Sequence, residues 1–133
     1  MNETVPSRLR KTLVHSVART GLALVFAYHG LIPKLISPHR DEIAMLRDAG
    51  ITAERCGVVL AIFGIAEVML SLCLLFFWGY RWPAWLCFGL MLAGTIGVAV
   101  NSPRYLGAAF NPVSLNLAVA CLAVIDLIVL QEK

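Results

Sequence analysis

Four long apolar segments, separated by polar or proline-bearing connections, constrain this chain more than any other feature of its sequence. They cover residues 15–34, 57–78, 83–100 and 112–131. Each approaches the ~20 residues that an α-helix needs to cross the hydrocarbon core of a bilayer. None alternates with the period of a membrane β-barrel strand, and lipid accommodates only helices and closed barrels. The sequence therefore predicts an all-α polytopic membrane protein, a bundle of four transmembrane helices in a single domain over residues 1–133.

Composition argues against the main soluble classes of protein. Of the 133 residues, 59% are hydrophobic and 14% are charged, whereas soluble domains average roughly 45–50% and 25%. The mean hydropathy of +0.80 also argues against a disordered chain. The net charge is only +3 and the basic residues are scattered, so no nucleic acid partner is expected. The expected surroundings are a lipid bilayer.

The connection between the first and second apolar segments is long enough to hold structure of its own. Ser37 and Pro38 resemble a helix start, and Gly50 resembles a helix stop. Between them, the apolar residues Ile43, Ala44 and Leu46 face a polar set that consists of Arg40, Asp41, Arg47 and Asp48. We expect a short amphipathic helix that lies on the membrane surface or caps the bundle. The next connection, residues 79–82, is so short that the second and third spans should form a tight hairpin.

The basic residues near the N-terminus favour one orientation. Arg8, Arg10 and Lys11 precede the first span, and cytoplasmic loops carry an excess of lysine and arginine. We expect both termini in the cytoplasm and the inner (plasma) membrane of a bacterial-type cell as the location. The first apolar segment is too long for a signal peptide, so we interpret it as a retained helix.

Small residues repeat at a spacing of four along the third span. Gly89, Ala93 and Gly97 form this stripe. Small residues allow helix backbones to approach closely in lipid, so the stripe predicts a packing surface within the bundle. A homo-oligomer contact is the alternative interpretation.

Two charged residues lie at similar depth near the cytoplasmic side of the predicted bundle. Arg19 is in the first span and Asp126 is in the fourth. Because an unpaired charge in the apolar phase is far more costly than a paired one, we predict a structural ion pair between them.

Glu67 lies near the middle of the second span and shares a helix face with Gly64 and Ser71. This spacing directs it towards the interior of the bundle. An acid at this depth must be protonated or paired. Two interpretations stay open, a proton-handling or ligand-binding acid and a structural hydrogen bond to a neighbouring helix.

Polar residues also gather at the opposite end of the predicted bundle, and we expect them to line one polar mouth: Tyr28, His29, Lys34, Asn111 and Asn116. Together with Glu67, the last four of these are candidates for ligand binding or proton handling. No set of histidines, cysteines and carboxylates has metal-ligand spacing, so no metal site is predicted. The catalytic residues, if the chain has any, are unknown from sequence.

Three segments together resemble the DoxX-like family of four-helix membrane proteins. They are YHGLIPKLISPH over residues 28–39, GIAEVML over residues 64–70 and NPVSLNLA over residues 111–118. The resemblance covers about residues 15–130 and implies a small four-helix membrane domain. The positions that it carries over to this chain are His29, Pro33, Lys34, Glu67, Asn111 and Pro112.

The resemblance implies a function among several alternatives. Some members are subunits of quinone-linked oxidoreductases, and others are accessory proteins. The leading hypothesis is therefore an accessory or anchor subunit with an oxidoreductase partner subunit and a quinone as its implied cofactor; no intrinsic cofactor is expected. A small proton-coupled transporter that uses Glu67 and a purely structural membrane protein are the alternatives. A stand-alone enzyme ranks last, because no nucleophile–base pair or phosphate loop is present.

Overall fold

A computed structural model describes residues 6–109 and 111–131 of the chain. Within these residues the protein is all-helical, without strands, which confirms the predicted fold class. The helices are α1 (Ser7–Gly30), α2 (Arg40–Asp48), α3 (Ala53–Phe76), α4 (Trp82–Asn101) and α5 (Pro112–Gln131). A π-helical turn, Leu31–Ile36, extends α1, and a 3-10 turn, Pro103–Gly107, precedes α5.

Three of the described helices, α3, α4 and α5, are long and apolar enough to cross a membrane. The segment Ser7–Ile36 meets the same requirement together with α2, although the two are bent by 87° relative to each other. The described residues thus contain three spans, or four when the bent pair counts as one. The predicted first span is the one with the most polar residues.

The bounds of α1 differ from those of the predicted span 15–34. The helix already begins at Ser7, because the polar residues that follow Pro6 are good helix formers. At its other end Pro33 lacks the amide proton of an α-helical bond, and the chain widens into the π-helical turn. Ser37 N donates to Ile32 O at 2.9 Å, a bond across five residues. This widened turn leads directly into the bend before α2.

The predicted amphipathic helix is α2. Its N-cap is His39 rather than the predicted Ser37 and Pro38, and the His39 imidazole accepts a hydrogen bond from Asp41 N at 3.3 Å. Gly50, which has φ +89°, follows its C-terminal end in a backbone conformation that favours glycine.

The tightest packing in the bundle joins α1 to α3. Gly30 and Gly64 face each other, so that a Cβ on Gly30 would lie 2.6 Å from the Gly64 carbonyl oxygen. Further along, Ser71 Oγ donates to Ala23 O at 2.7 Å. Helix α1 also packs on α5, and α5 packs on α4. The buried core combines residues from four helices: Leu22, Ala23, Phe26, Leu70, Leu74, Cys87, Val119 and Ala123.

The prediction of a tight α3–α4 hairpin is wrong. A short turn joins the two helices, yet few of their residues are in contact. The stripe of Gly89, Ala93 and Gly97 is not a packing surface within the bundle either, since a Cβ on either glycine would meet no atom within 4 Å. Helix α4 instead packs against α5. This arrangement leaves a cleft between α3 and α4.

Candidate functional site

A cavity of about 610 Å³ lies in the cleft between α3 and α4. All five helices contribute to its wall, which is mostly apolar and includes Val25, Phe63, Met91, Leu115 and Val119. Met45 and Leu46 of α2 and its C-cap residue Ala49 also line it, so α2 caps the bundle on the side of the bend. Ligand sites of this kind are typically 300–1,000 Å³ and mainly apolar, with a few polar groups that orient the ligand.

A second cavity of about 510 Å³ adjoins the first on the other side of α2. The two share five lining residues, which are His29, Glu42, Met45, Pro112 and Leu115. Two polar residues of the site, His29 and Glu42, therefore lie where the two cavities meet, whereas Lys34 and Glu67 line the larger cavity only.

Lys34 is the centre of these polar residues. Its ammonium group is 3.0 Å from Glu67 Oε2 and 3.3 Å from Glu42 Oε1. It also donates to the His29 carbonyl oxygen at 3.5 Å. Only 8% of Lys34 is exposed. The structure thus gives Glu67 a partner within the site, which sequence reasoning left open.

The local packing explains why Lys34 meets Glu67. The Gly30–Gly64 contact brings α1 and α3 together one helical turn before each of these residues. A Cβ on Gly64 would lie 3.0 Å from Lys34 Cβ. A larger residue at that position would therefore push the lysine away from the carboxylate.

Glu42 is a residue of the site that sequence reasoning missed. It shares one face of α2 with Met45, Leu46 and Ala49, at helical spacings of three, four and seven. That face lines the larger cavity. An acid within an otherwise apolar helix face was the available signal, but the sequence did not indicate which surface this face covers.

The other residues of the predicted polar mouth are only partly brought together. His29 lines both cavities, and Asn116 lines the larger one, where its Nδ2 donates to Thr95 Oγ1 at 3.3 Å. Asn111 lines only the second cavity, and its Oδ1 accepts from Ser114 N at 2.8 Å, which caps the start of α5. Tyr28 is 61% exposed and contacts the His29 ring edge-on.

One acid fixes the C-terminal end of α2 to the end of α4. Asp48 Oδ2 accepts from the buried Ser102 Oγ and from Arg104 Nη2, each at 2.7 Å. We call this arrangement the Asp48 latch. Contacts with Tyr105 and with Asp48 raise the pKa of the Arg104 guanidinium, so it stays charged.

A separate polar cluster is buried at the opposite end of the bundle. Arg19 Nη1 donates to Asp126 Oδ2 at 2.7 Å, and both side chains are completely buried. The structure thus brings together the two residues that the sequence paired by depth. Nε and Nη2 of Arg19 donate to backbone carbonyls at the end of α3 and in the turn after it, those of Leu74, Phe77 and Tyr80. A cation therefore satisfies the carbonyls that the end of a helix leaves unpaired.

His15 is a member of this cluster that the sequence analysis did not single out. Its Nδ1 lies 2.8 Å from Asp126 Oδ1, and its Nε2 lies 3.1 Å from Trp78 O. Because both partners are acceptors, the two contacts are satisfied together only when both ring nitrogens carry a proton. The signal was its position four residues before Arg19, which places both on one helix face.

The comparisons with known proteins identify a family. The sequence profile of the DoxX-like family matches residues 23–124, which is most of the chain. The matched segment contains His29, Lys34, Glu42, Glu67 and Asn116. No curated protein and no solved structure matches the chain.

Proposed function

The chain belongs to the DoxX-like family, and from that premise we propose that this integral membrane protein binds a lipophilic ring compound of the quinone class. In this proposal it acts as an accessory subunit of a quinone-linked membrane oxidoreductase. The observation that carries the proposal is the cavity between α3 and α4, which is mostly apolar and has its charged groups on one side. A bound quinone would supply electron and proton carriage.

The cavity fits a quinone in size and in the distribution of polar groups. A volume of about 610 Å³ accommodates an aromatic ring and the first part of an apolar tail. Phe63, Met91 and Val119 would contact the apolar part. His29, Glu67 and Asn116, which are among the polar residues of the wall, would orient the oxygen atoms of the ring.

The cleft also offers a route from the bilayer. Helices α3 and α4 diverge, and the small stripe residues Ala93 and Gly97 line the cavity without covering it. A ligand dissolved in the hydrocarbon phase would enter sideways between the two helices. Such a route suits a lipid-soluble ligand better than a hydrophilic one.

The geometry favours binding over transport. A transporter needs its site to communicate with both sides of the membrane in turn. Here the end of the bundle away from the cavities is filled by Arg19, Asp126 and His15, all of them buried. Every buried side-chain nitrogen or oxygen among the described residues has a hydrogen-bond partner. Opening a path through this end would break a saturated network.

The location and orientation that we propose follow from the basic residues before the first span. Arg8 and Arg10 are exposed on the first turns of α1. We infer that this end of α1 lies in the cytoplasm of a bacterial-type cell. The cavities and α2 then lie towards the outer face of the plasma membrane.

The experiment that tests the proposal is gentle purification of the tagged protein in lipid nanodiscs. Extracted lipids are analysed for quinones by mass spectrometry, and co-purifying proteins are identified in the same sample. We expect quinone in proportion to the protein, together with an oxidoreductase subunit. We expect both the Glu67→Gln and the His29→Ala variant to lose the quinone.

The matched control is Glu54→Gln, since Glu54 is an exposed acid at the start of the same helix α3 and lines neither cavity. This variant should retain the quinone at the wild-type level. Quinone at the level of empty nanodiscs in the wild-type sample would contradict the ligand, and the absence of any stoichiometric protein partner would contradict the subunit role.

A further inference from the structure

The hydrogen-bond donors of Lys34, the cation at the polar side of the cavity, are already in use. An ammonium group has three protons. Lys34 Nζ has three acceptors within reach, which are the His29 carbonyl oxygen, Glu42 Oε1 and Glu67 Oε2. Lys34 therefore holds the two acids in place and has no proton left for a ligand.

The acceptors at the same place are in excess. A carboxylate has about four positions that accept hydrogen bonds. Among the described residues, Lys34 is the only one whose side chain donates a hydrogen bond to the Glu67 carboxylate. It is also the only one whose side chain donates to the Glu42 carboxylate. Two carboxylates face one ammonium group, so the cluster carries a net negative charge when His29 is neutral. A ligand that donates hydrogen bonds or carries positive charge complements this surface.

The uncharged polar groups do not reverse this bias. His29 offers a donor or an acceptor, depending on its tautomer. Asn116 offers both kinds of group, and its Nδ2 already donates to Thr95 Oγ1. The two carboxylates therefore determine that the cavity favours a ligand whose polar group donates hydrogen bonds.

We propose that the cavity selects the reduced, hydroquinone form of its ligand over the oxidised quinone, through the free acceptor positions of Glu67 and Glu42. This inference rests on the proposed function, because it specifies the ligand of the same cavity. The two hydroxyl groups of a hydroquinone donate to carboxylate oxygens, whereas the carbonyl oxygens of a quinone face them with lone pairs only. A hydrogen bond to a charged acceptor is among the stronger ones in proteins.

The test compares three small ligands with the same ring. They are menadione, its hydroquinone under anaerobic conditions, and the dimethyl ether of that hydroquinone, which keeps the ring but has no donor. Binding to the protein in nanodiscs is measured by equilibrium dialysis, and empty nanodiscs correct for partition into lipid. We expect the hydroquinone to bind at least about tenfold more tightly than menadione and the ether.

Variants connect this preference to the carboxylates. Glu67→Gln replaces a charged acceptor by a neutral amide, so binding of the hydroquinone should weaken more than binding of menadione and the ratio of the two dissociation constants should fall towards one. Glu54→Gln is the matched control and should keep the wild-type ratio. If Glu67→Gln does not fold, Glu42→Gln on α2 removes the charge of the other carboxylate. The comparison of the hydroquinone with its dimethyl ether uses the wild-type protein and needs no variant.

The outcomes separate this inference from the function on which it rests. Equal or tighter binding of menadione would overturn the preference for the reduced form and leave the ring-binding function in place. Equal binding of the hydroquinone and its dimethyl ether would also overturn it, since the hydroxyl protons would then contribute nothing. Binding of none of the three ligands above the level of empty nanodiscs would overturn the proposed function itself.

Discussion

Gly30 and Gly64 approach each other so closely that neither can carry a side chain without displacing backbone. A Cβ on Gly30 would lie 2.6 Å from the Gly64 carbonyl oxygen, and one on Gly64 would lie 2.8 Å from the Gly30 carbonyl oxygen. This reciprocal contact sets the distance between α1 and α3. It also places Lys34 and Glu67, which follow the two glycines, within 3.0 Å of each other.

Alanine at either glycine is expected to destabilise the protein. Gly30→Ala or Gly64→Ala forces the two helices apart, and overpacking of this kind costs about 1–3 kcal/mol. The measurement is thermal unfolding in detergent. Gly57→Ala on the same helix α3 is the control, because its Cβ would enter open space; equal loss of stability in the control would contradict this account of the contact.

Loss of Asp126 is expected to be among the most damaging single changes. Asp126→Leu leaves Arg19 and His15 buried without their carboxylate, and breaking a buried pair from one side costs about 3–5 kcal/mol. The yield of folded protein and its unfolding temperature should both fall. Arg19→Met combined with Asp126→Leu removes both charges and should recover part of the loss. A double variant as unstable as the sum of the single ones would argue against the coupling of these residues.

Filling the cavity should abolish ligand binding without harming the fold. Gly97 lines the cavity and has open space at its Cβ, so Gly97→Leu places a side chain where the ligand ring would lie. Replacing a helical glycine should leave stability unchanged or raise it by up to about 1 kcal/mol. Quinone content and thermal unfolding are measured together. Gly89→Leu, also in open space on α4 but outside both cavities, should keep the ligand.

The Asp48 latch should control the mobility of α2. Asp48→Ala removes the acceptor of Ser102 and Arg104. Hydrogen–deuterium exchange over residues 40–48 is expected to become faster, while exchange in α5 stays the same. Arg47→Ala changes a neighbouring exposed residue of α2 and is the control. Unchanged exchange in Asp48→Ala would show that α2 is held by its apolar face alone.

Apolar periodicity and length predicted the helical elements of this fold. The bounds of α5 agree with the predicted span, because Pro112 marks its start in the sequence. The beginning of α1 was predicted too late, since polar residues continue a helix beyond the membrane as readily as apolar ones. The sequence also did not predict that α3 and α4 diverge. A short connection fixes only the ends of two helices and not the angle between them.

His29, Lys34, Glu67 and Asn116 of the candidate site were singled out from the sequence, whereas Glu42 and the contact between Lys34 and Glu67 were not. Lys34 and Glu67 were each singled out as polar residues in an apolar setting. Their contact depends on the Gly30–Gly64 approach and on the π-helical turn, and both arise from three-dimensional packing. The contribution of Glu42 depends on the 87° bend that turns α2 over the cavity, which no local pattern encodes.

The hydrogen bond between Arg19 and Asp126 joins α1 to α5, the first and last of the described helices. During synthesis α1 is made before α5. Arg19 is therefore made before its partner Asp126, which lies more than a hundred residues later in the chain. The carbonyls at the end of α3 that accept from Arg19 in the folded protein are made before Asp126. A chain that stops before Asp126 keeps an uncompensated charge in the apolar phase. The bundle can therefore close around Arg19 only after α5 has been made.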